Sequence, residues 1–210
     1  LGKVFLKSDF SKPGVFDAWT VVNGDWKVAN GHLEELSDSK SPVGGVWVTA
    51  GSAVWKNYTF EVDAGALDNL GVILLSFYRK DADNCYVLKH EQVGGGVLTL
   101  SLYKTVDGKV TPLKSVDNGV EPKLAQLART RPDGQPLRFR VDVYNGVINV
   151  AVNGEDVMWV RDDSIQGGGV GLGGEMRKVY FTNASVTRKA FYPSRLITCE
   201  APVRIDISNH

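Results

Sequence analysis

Apolar and polar residues alternate with a period of two along most of the chain, in short runs. That period reads as strands with one buried face. Tyr58 to Asp63 alternates strictly, and Val72 to Tyr78 is apolar enough to predict a largely buried strand. Further strands are predicted at Trp19 to Val22, Asp25 to Ala29, Val46 to Thr49, Tyr86 to His90, Val97 to Lys104, Val110 to Lys114, Leu137 to Tyr144, Val147 to Val152, Val157 to Val160, Gly169 to Leu172 and Val179 to Val186. Turn chemistry separates them. Asn23-Gly24, Asn30-Gly31, Asn145-Gly146 and Asn153-Gly154 carry the strongest short hairpin signal, because Asn and Gly tolerate the positive φ such turns need. Asp107-Gly108 and Gly94-Gly95-Gly96 add two more turns. Good helix formers follow Glu121 and Pro122 only as far as Arg129, within an insertion over 117–136. Twelve to fourteen short strands with glycine-rich turns predict an all-β fold, a jelly-roll sandwich of two antiparallel sheets with a short helical insertion. No repeat of about 20–50 residues suggests a solenoid or propeller. The pattern breaks after about Lys189. Residues 1–189 form the sandwich domain and 190–210 a C-terminal extension. Leu196 to Cys199 and Val203 to Ile207 are strand-like, which suits a docked strand or an intersubunit arm.

A length of 210 residues suits one domain with one large core. Lys+Arg and Asp+Glu are both 24, so no positive field marks a dedicated nucleic-acid partner. No apolar run is long enough to span a membrane. Cys85 and Cys199 either form one disulfide, worth about 4–5 kcal/mol for so long a loop, or stay as two free thiols. Asn57-Tyr58-Thr59 and Asn183-Ala184-Ser185 are acceptor tripeptides for glycosylation. With a start at Leu1 rather than Met, these features point to an extracellular or secreted chain.

Five motifs occur in a familiar order. Trp19-Thr20-Val21-Val22-Asn23-Gly24-Asp25-Trp26-Lys27-Val28-Ala29-Asn30-Gly31-His32-Leu33 has the outline of an opening hairpin. Asp81-Ala82-Asp83-Asn84-Cys85-Tyr86-Val87 and Leu102-Tyr103-Lys104-Thr105-Val106-Asp107-Gly108-Lys109 follow. Ile148-Asn149-Val150-Ala151-Val152-Asn153-Gly154 and Asp162 to Leu172, with its Gly-Val-Gly-Leu, complete the series. Over roughly residues 5–188 the chain resembles the concanavalin A-like, laminin G-like jelly rolls. The branch it resembles most is the 3-keto-disaccharide hydrolase one, together with related carbohydrate-binding modules. It departs from that branch at Phe77-Tyr78-Arg79-Lys80, at Cys85 and at Phe181-Thr182-Asn183. The resemblance also implies a structural Ca²⁺, for which the turn acids Asp9, Asp25, Asp81 and Asp83 are candidates.

Sugar rings stack on aromatic faces and need polar partners for their hydroxyls. Candidate carbohydrate-binding residues are therefore Trp47, Trp55, Tyr78, Arg79, Tyr86, His90, Tyr103 and Trp159, while Trp19 and Trp26 read as core. Tyr86, Leu88 and His90 share one strand face, and Thr99, Ser101 and Tyr103 share another. For glycoside hydrolysis the candidates are Glu61 and Asp63, which lack the third acid of a glucanase strand, and His90 as a base. Glu34-Glu35, Asp81, Asp83 and Asp162-Asp163 read as solvated turn acids. No nucleophile elbow is present. The leading expectation is a non-catalytic, lectin-like protein that binds a glycan by aromatic stacking and polar contacts. One alternative is a structural subunit that self-associates through its C-terminal strand, and another is a glycoside hydrolase of the 3-keto-disaccharide type.

Overall fold

The computed structural model describes residues 2–12, 15–37, 44–67, 71–93, 97–130, 135–175 and 178–189. Fifteen strands, one α-helix and one short 3-10 helix lie within them. They build two antiparallel sheets packed face to face. Sheet A runs β13 (Glu155–Arg161), β12 (Val147–Val152), β11 (Leu137–Tyr144), β6 (Tyr58–Ala66), β15 (Val179–Arg188), β4 (His32–Glu35), β3 (Trp26–Ala29). β1 (Val4–Ser8) also pairs with β15, beyond the two residues that pair with β4. Sheet B runs β10 (Lys109–Asp117), β9 (Val97–Val106), β8 (Cys85–Val93), β7 (Gly71–Arg79), β14 (Gly169–Glu175), β5 (Val46–Ala50), β2 (Thr20–Val21). The expected jelly-roll sandwich is what forms.

The core lies between the sheets and follows the period of two. In β6, Tyr58, Phe60, Val62 and Ala64 turn inward while Thr59, Glu61 and Asp63 turn out. They meet Leu75 and Phe77 of β7, Leu88 of β8, Leu100 and Leu102 of β9 and Leu172 of β14, all buried. Helix α1 (Pro122–Thr130) forms where expected. Proline opens it at the position that needs no N–H, and Glu121 Oε1 accepts the Lys123 N–H at 3.1 Å. Leu124 anchors it to the core.

Three features differ from the sequence reading. Asn23-Gly24 is not a hairpin, because β2 pairs with β5 in sheet B and β3 pairs with β4 in sheet A. The Asn23 side chain is committed to the other sheet: Oδ1 accepts the Trp47 N–H at 2.8 Å and Nδ2 donates to the Gly45 carbonyl at 3.3 Å. The chain therefore crosses between layers there. The other Asn-Gly turns and Asp107-Gly108 do join paired strands, with positive φ at both residues. Glu34 and Glu35 are not solvated turn acids. They end β4 and are buried. Burial pushes the Glu35 carboxyl up, against the Ser37 N–H that its Oε1 accepts at 2.6 Å. The third difference is a bulge in β7, which shapes the site.

Candidate saccharide-binding groove

The outer face of sheet B forms a groove of about 640 Å³. Alternation supplies its floor and walls. β5 presents Trp47, β7 presents Leu74, and β8 presents Cys85, Val87 and Lys89. Tyr103 and Thr105 come from β9, and Glu175 ends β14. Asn23, Asp83, Gly108 and Val110 reach the groove from the rim. A second recess of about 410 Å³, lined by Thr49, Ser52, Lys80 and Asp81, adjoins it, and Arg79 lines both.

Arg79 reaches the groove because β7 breaks its own period. Ile73, Leu75 and Phe77 point into the core, so Tyr78 should point out and Arg79 in. Instead Tyr78 adopts φ +46°, and the register with β14 slips between Gly169 and Val170. Tyr78 then joins Phe77 in the core and Arg79 turns out. Positive φ is strained for an aromatic residue, and specific bonds hold it. The Tyr58 hydroxyl accepts the Tyr78 N–H at 2.8 Å and donates to the Gly169 carbonyl at 3.2 Å. The Tyr78 hydroxyl accepts the Asn57 N–H at 2.9 Å. Gly168 passes so close that a Cβ there would lie 2.3 Å from the Tyr78 carbonyl carbon.

Trp47 lies flat on glycines of β14. A Cβ on Gly173 would sit 2.7 Å from its ring, and one on Gly171 at 3.3 Å. Its Nε1 donates to the Gly44 carbonyl at 2.7 Å. The Arg79 guanidinium covers the ring, with Cζ 5.3 Å from the centroid. Only 8% of Trp47 is exposed, so it serves as a wall rather than an open stacking platform. Arg79 Nη1 also approaches Cys85 Sγ at 3.7 Å. Burial pushes the Cys85 thiol up, and Arg79 offsets this only in part. Lys89 Nζ bridges Glu91 Oε1 at 3.0 Å and Glu175 Oε2 at 3.2 Å. Burial alone would lower the lysine, but the two carboxylates hold it above its ordinary value.

Of the carbohydrate candidates, Trp47, Arg79 and Tyr103 come together here, joined by Cys85 and Asp83 from the other expectations. Tyr78, Tyr86 and His90 instead face the interior. Tyr86 stacks on Phe77 at 5.4 Å, and His90 packs against Phe139 at 5.5 Å. Trp55 stacks on Phe5 at 5.1 Å, away from the groove. Trp159 is 56% exposed on β13, at the edge of sheet A. Glu61 and Asp63 lie on the outer face of sheet A, where Arg138 pairs with Glu61 at 3.3 Å and Asn183 Nδ2 donates to Asp63 at 2.8 Å. Of the acids proposed for Ca²⁺, Asp81 and Asp83 share one turn. Asp9 Oδ1 accepts the Ser11 N–H, and Asp81 Oδ1 accepts the Asp83 N–H. Among the described residues no three His, Cys, Asp or Glu side chains gather as a metal site would require. Cys85 is a free thiol, and Cys199 lies outside the described residues, as does the whole extension at 190–210. Both glycosylation candidates use their amides internally, Asn57 with Asn145 and Asn183 with Asp63. Sequence reading missed Lys89, Glu175 and Asn23. Lys89 was legible from its spacing of two and four from Val87 and Cys85. Glu175 was not, because the expected strand stopped at Leu172.

Solved structures with the same architecture define the class. A carbohydrate-binding module, CBM66 from Bacillus subtilis, superposes with a TM-score of 0.63 at 18% identity, covering 81% of this chain and 95% of that one. A Bacillus subtilis protein of unknown function with a galectin-like fold gives 0.63 at 12% identity, covering 90% and 98%. A GH43 protein from Bacillus licheniformis gives 0.61 at 12% identity, covering 87% of this chain but 39% of that one. The fold is thus a sandwich of the carbohydrate-binding-module and galectin-like kind. The chain belongs to the family of 3-keto-alpha-glucoside-1,2-lyase-like domains, whose model matches residues 11–187. No curated protein matches the sequence.

Proposed function

We propose that the protein binds a saccharide in the groove on the outer face of sheet B. The observation that carries this reading is the placement of Arg79. A strained bulge, fixed by Tyr58, turns one guanidinium into a concave face that also holds Lys89, Glu175, Asp83 and Tyr103. Few, well-placed polar groups in a concave site are how small polar ligands are oriented. The family and the likeness to carbohydrate-binding modules support a sugar as that ligand. Recognition is polar first, with Tyr103 as the aromatic contact, because Trp47 already carries Arg79.

Family membership favours a second reading, action on a 3-keto-α-glucoside. Elimination across C1 and C2 needs a base for the C2 proton and a cation near the C3 oxygen. The groove offers the carboxylates of Asp83 and Glu175 and the guanidinium of Arg79.

Calorimetric titration with a panel of neutral and acidic oligosaccharides tests the first reading. Saturable binding is expected, weakened at least about tenfold by Tyr103→Ala or Lys89→Ala with the fold intact. Full binding by both variants, or no binding by the native chain, overturns it. Release of the C1 substituent from a 3-keto-α-glucoside, followed by NMR, decides the second.

A further inference from the structure

We propose that the groove takes an acidic saccharide, with Arg79 as the fork that binds a carboxylate of the ligand. This rests on the groove being the saccharide site and names the class of sugar it accepts. The basis is a contrast between two cations. Lys89 is neutralised in place by Glu91 and Glu175. Arg79, also partly buried, has no such partner: among the described residues its contacts are the Trp47 ring and the Cys85 sulfur, and no carboxylate. Charged side chains withdrawn from water are as a rule paired. The Cys85 thiol, raised by burial, stays neutral and leaves the guanidinium charge uncompensated.

The surrounding charges sharpen the contrast. Two carboxylates on one ammonium leave the Lys89 end with one net negative charge, while Arg79 makes the other end positive. Asp83 stands on the rim, leaning toward the Asp107-Gly108 turn, with Oδ1 3.6 Å from where a Gly108 Cβ would sit. It forms no ion pair with Arg79. Asp81, in the adjoining recess, is taken up by the Asp83 N–H and by Asn84 Nδ2 at 2.8 and 3.1 Å. Its charge is offset by Lys80, which lines that same recess.

Geometry completes the argument. With Cζ 5.3 Å over the Trp47 ring and Nη1 3.7 Å from Cys85 Sγ the guanidinium is anchored on one side, and its remaining N–H donors have no partner among the described residues. A planar fork of donors matches the two oxygens of a carboxylate. A neutral sugar offers single hydroxyls and leaves the charge unmatched. Because the bulge at Tyr78 costs backbone strain, the outward turn of Arg79 is specified by the fold rather than incidental to it.

The test compares oligosaccharides of glucuronate, galacturonate and mannuronate with neutral oligosaccharides of the same length and linkage, by calorimetry on the full chain at low and raised salt. At least one acidic series is expected to bind about tenfold tighter than its neutral counterpart, with an advantage that shrinks as salt rises. Arg79→Gln, checked for fold by circular dichroism, is expected to erase that advantage by lowering affinity for the acidic series more than for the neutral one, while Arg79→Lys keeps part of it. Equal affinity for acidic and neutral sugars, or a preference that survives Arg79→Gln, overturns the carboxylate assignment and leaves the groove reading standing. Absence of binding by every sugar overturns both.

Discussion

Asp162, a turn acid by sequence, closes a polar network at the end of the sandwich. The Tyr86 hydroxyl donates to its Oδ1 at 2.6 Å and accepts the Ile165 N–H at 3.2 Å. Lys104 Nζ meets Oδ2 at 2.6 Å, and the Ser164 N–H meets Oδ1 at 3.0 Å. Burial alone would raise the carboxyl, but Lys104, Tyr86 and Ser164 outweigh it and pull it from 3.8 down to about 2. Between those values the unfolded chain binds more protons than the folded one. The stabilisation is therefore complete above about pH 4 and is lost as pH falls through about 2. Asp162→Asn is expected to flatten the acid limb of a stability–pH curve measured by urea unfolding. Tyr86→Phe is expected to cost about 1–3 kcal/mol at neutral pH, because it strands a buried N–H. Tyr86 was legible as a residue on an inward face. Its bond to Asp162 was not, since 76 positions separate the two and only the folded sandwich brings them together.

At the scale of elements, the bulge joining β7 to β14 decides what the groove contains. Gly168→Ala would drive a Cβ into the Tyr78 and Arg79 backbone at a φ of +151°. It is expected to lower stability by roughly 2 kcal/mol or more and to weaken sugar binding as well, because Arg79 cannot stay where it is. Tyr58→Phe is the gentler form. It removes the acceptor of the Tyr78 N–H and is expected to cost about 1–3 kcal/mol. Loss of stability with sugar affinity unchanged would show that the bulge does not position Arg79. Periodicity placed nearly every long strand correctly, but it cannot foresee a bulge, which depends on a hydroxyl from β6 and on glycines about 90 positions downstream. β1 and β4 escaped for a plainer reason. One is five residues long, and the other ends in two acids that look like a turn.

Across the whole molecule the two outer faces differ in character. Sheet A presents a mesh of satisfied charges: Arg140 with Asp142 and Asp156 at 3.2 and 2.7 Å, Lys189 with Asp142 at 3.0 Å, and Arg138 with Glu61. Sheet B presents the groove with its unmatched guanidinium. Trp159, on the far sheet, is therefore a control. Trp159→Ala is expected to leave groove binding unchanged and to shift stability by no more than about 0.5 kcal/mol. A loss of sugar affinity there would move the site to sheet A. The sandwich itself was readable from strand spacing and turn residues, because every layer repeats the same alternation. The groove was readable only in part. Trp47, Arg79 and Tyr103 carried a signal as residue types, but which face each occupies follows from pairing and from one register slip.

The stack of Arg79 on Trp47 makes the protein its own optical probe. Indole emission responds to a cation lying on the ring, and of the five tryptophans Trp47 is the one that carries Arg79. A ligand that draws the guanidinium away changes the light from that ring while the other four stay as they were. Occupancy of the groove can thus be followed without a label, in the light of a single ring.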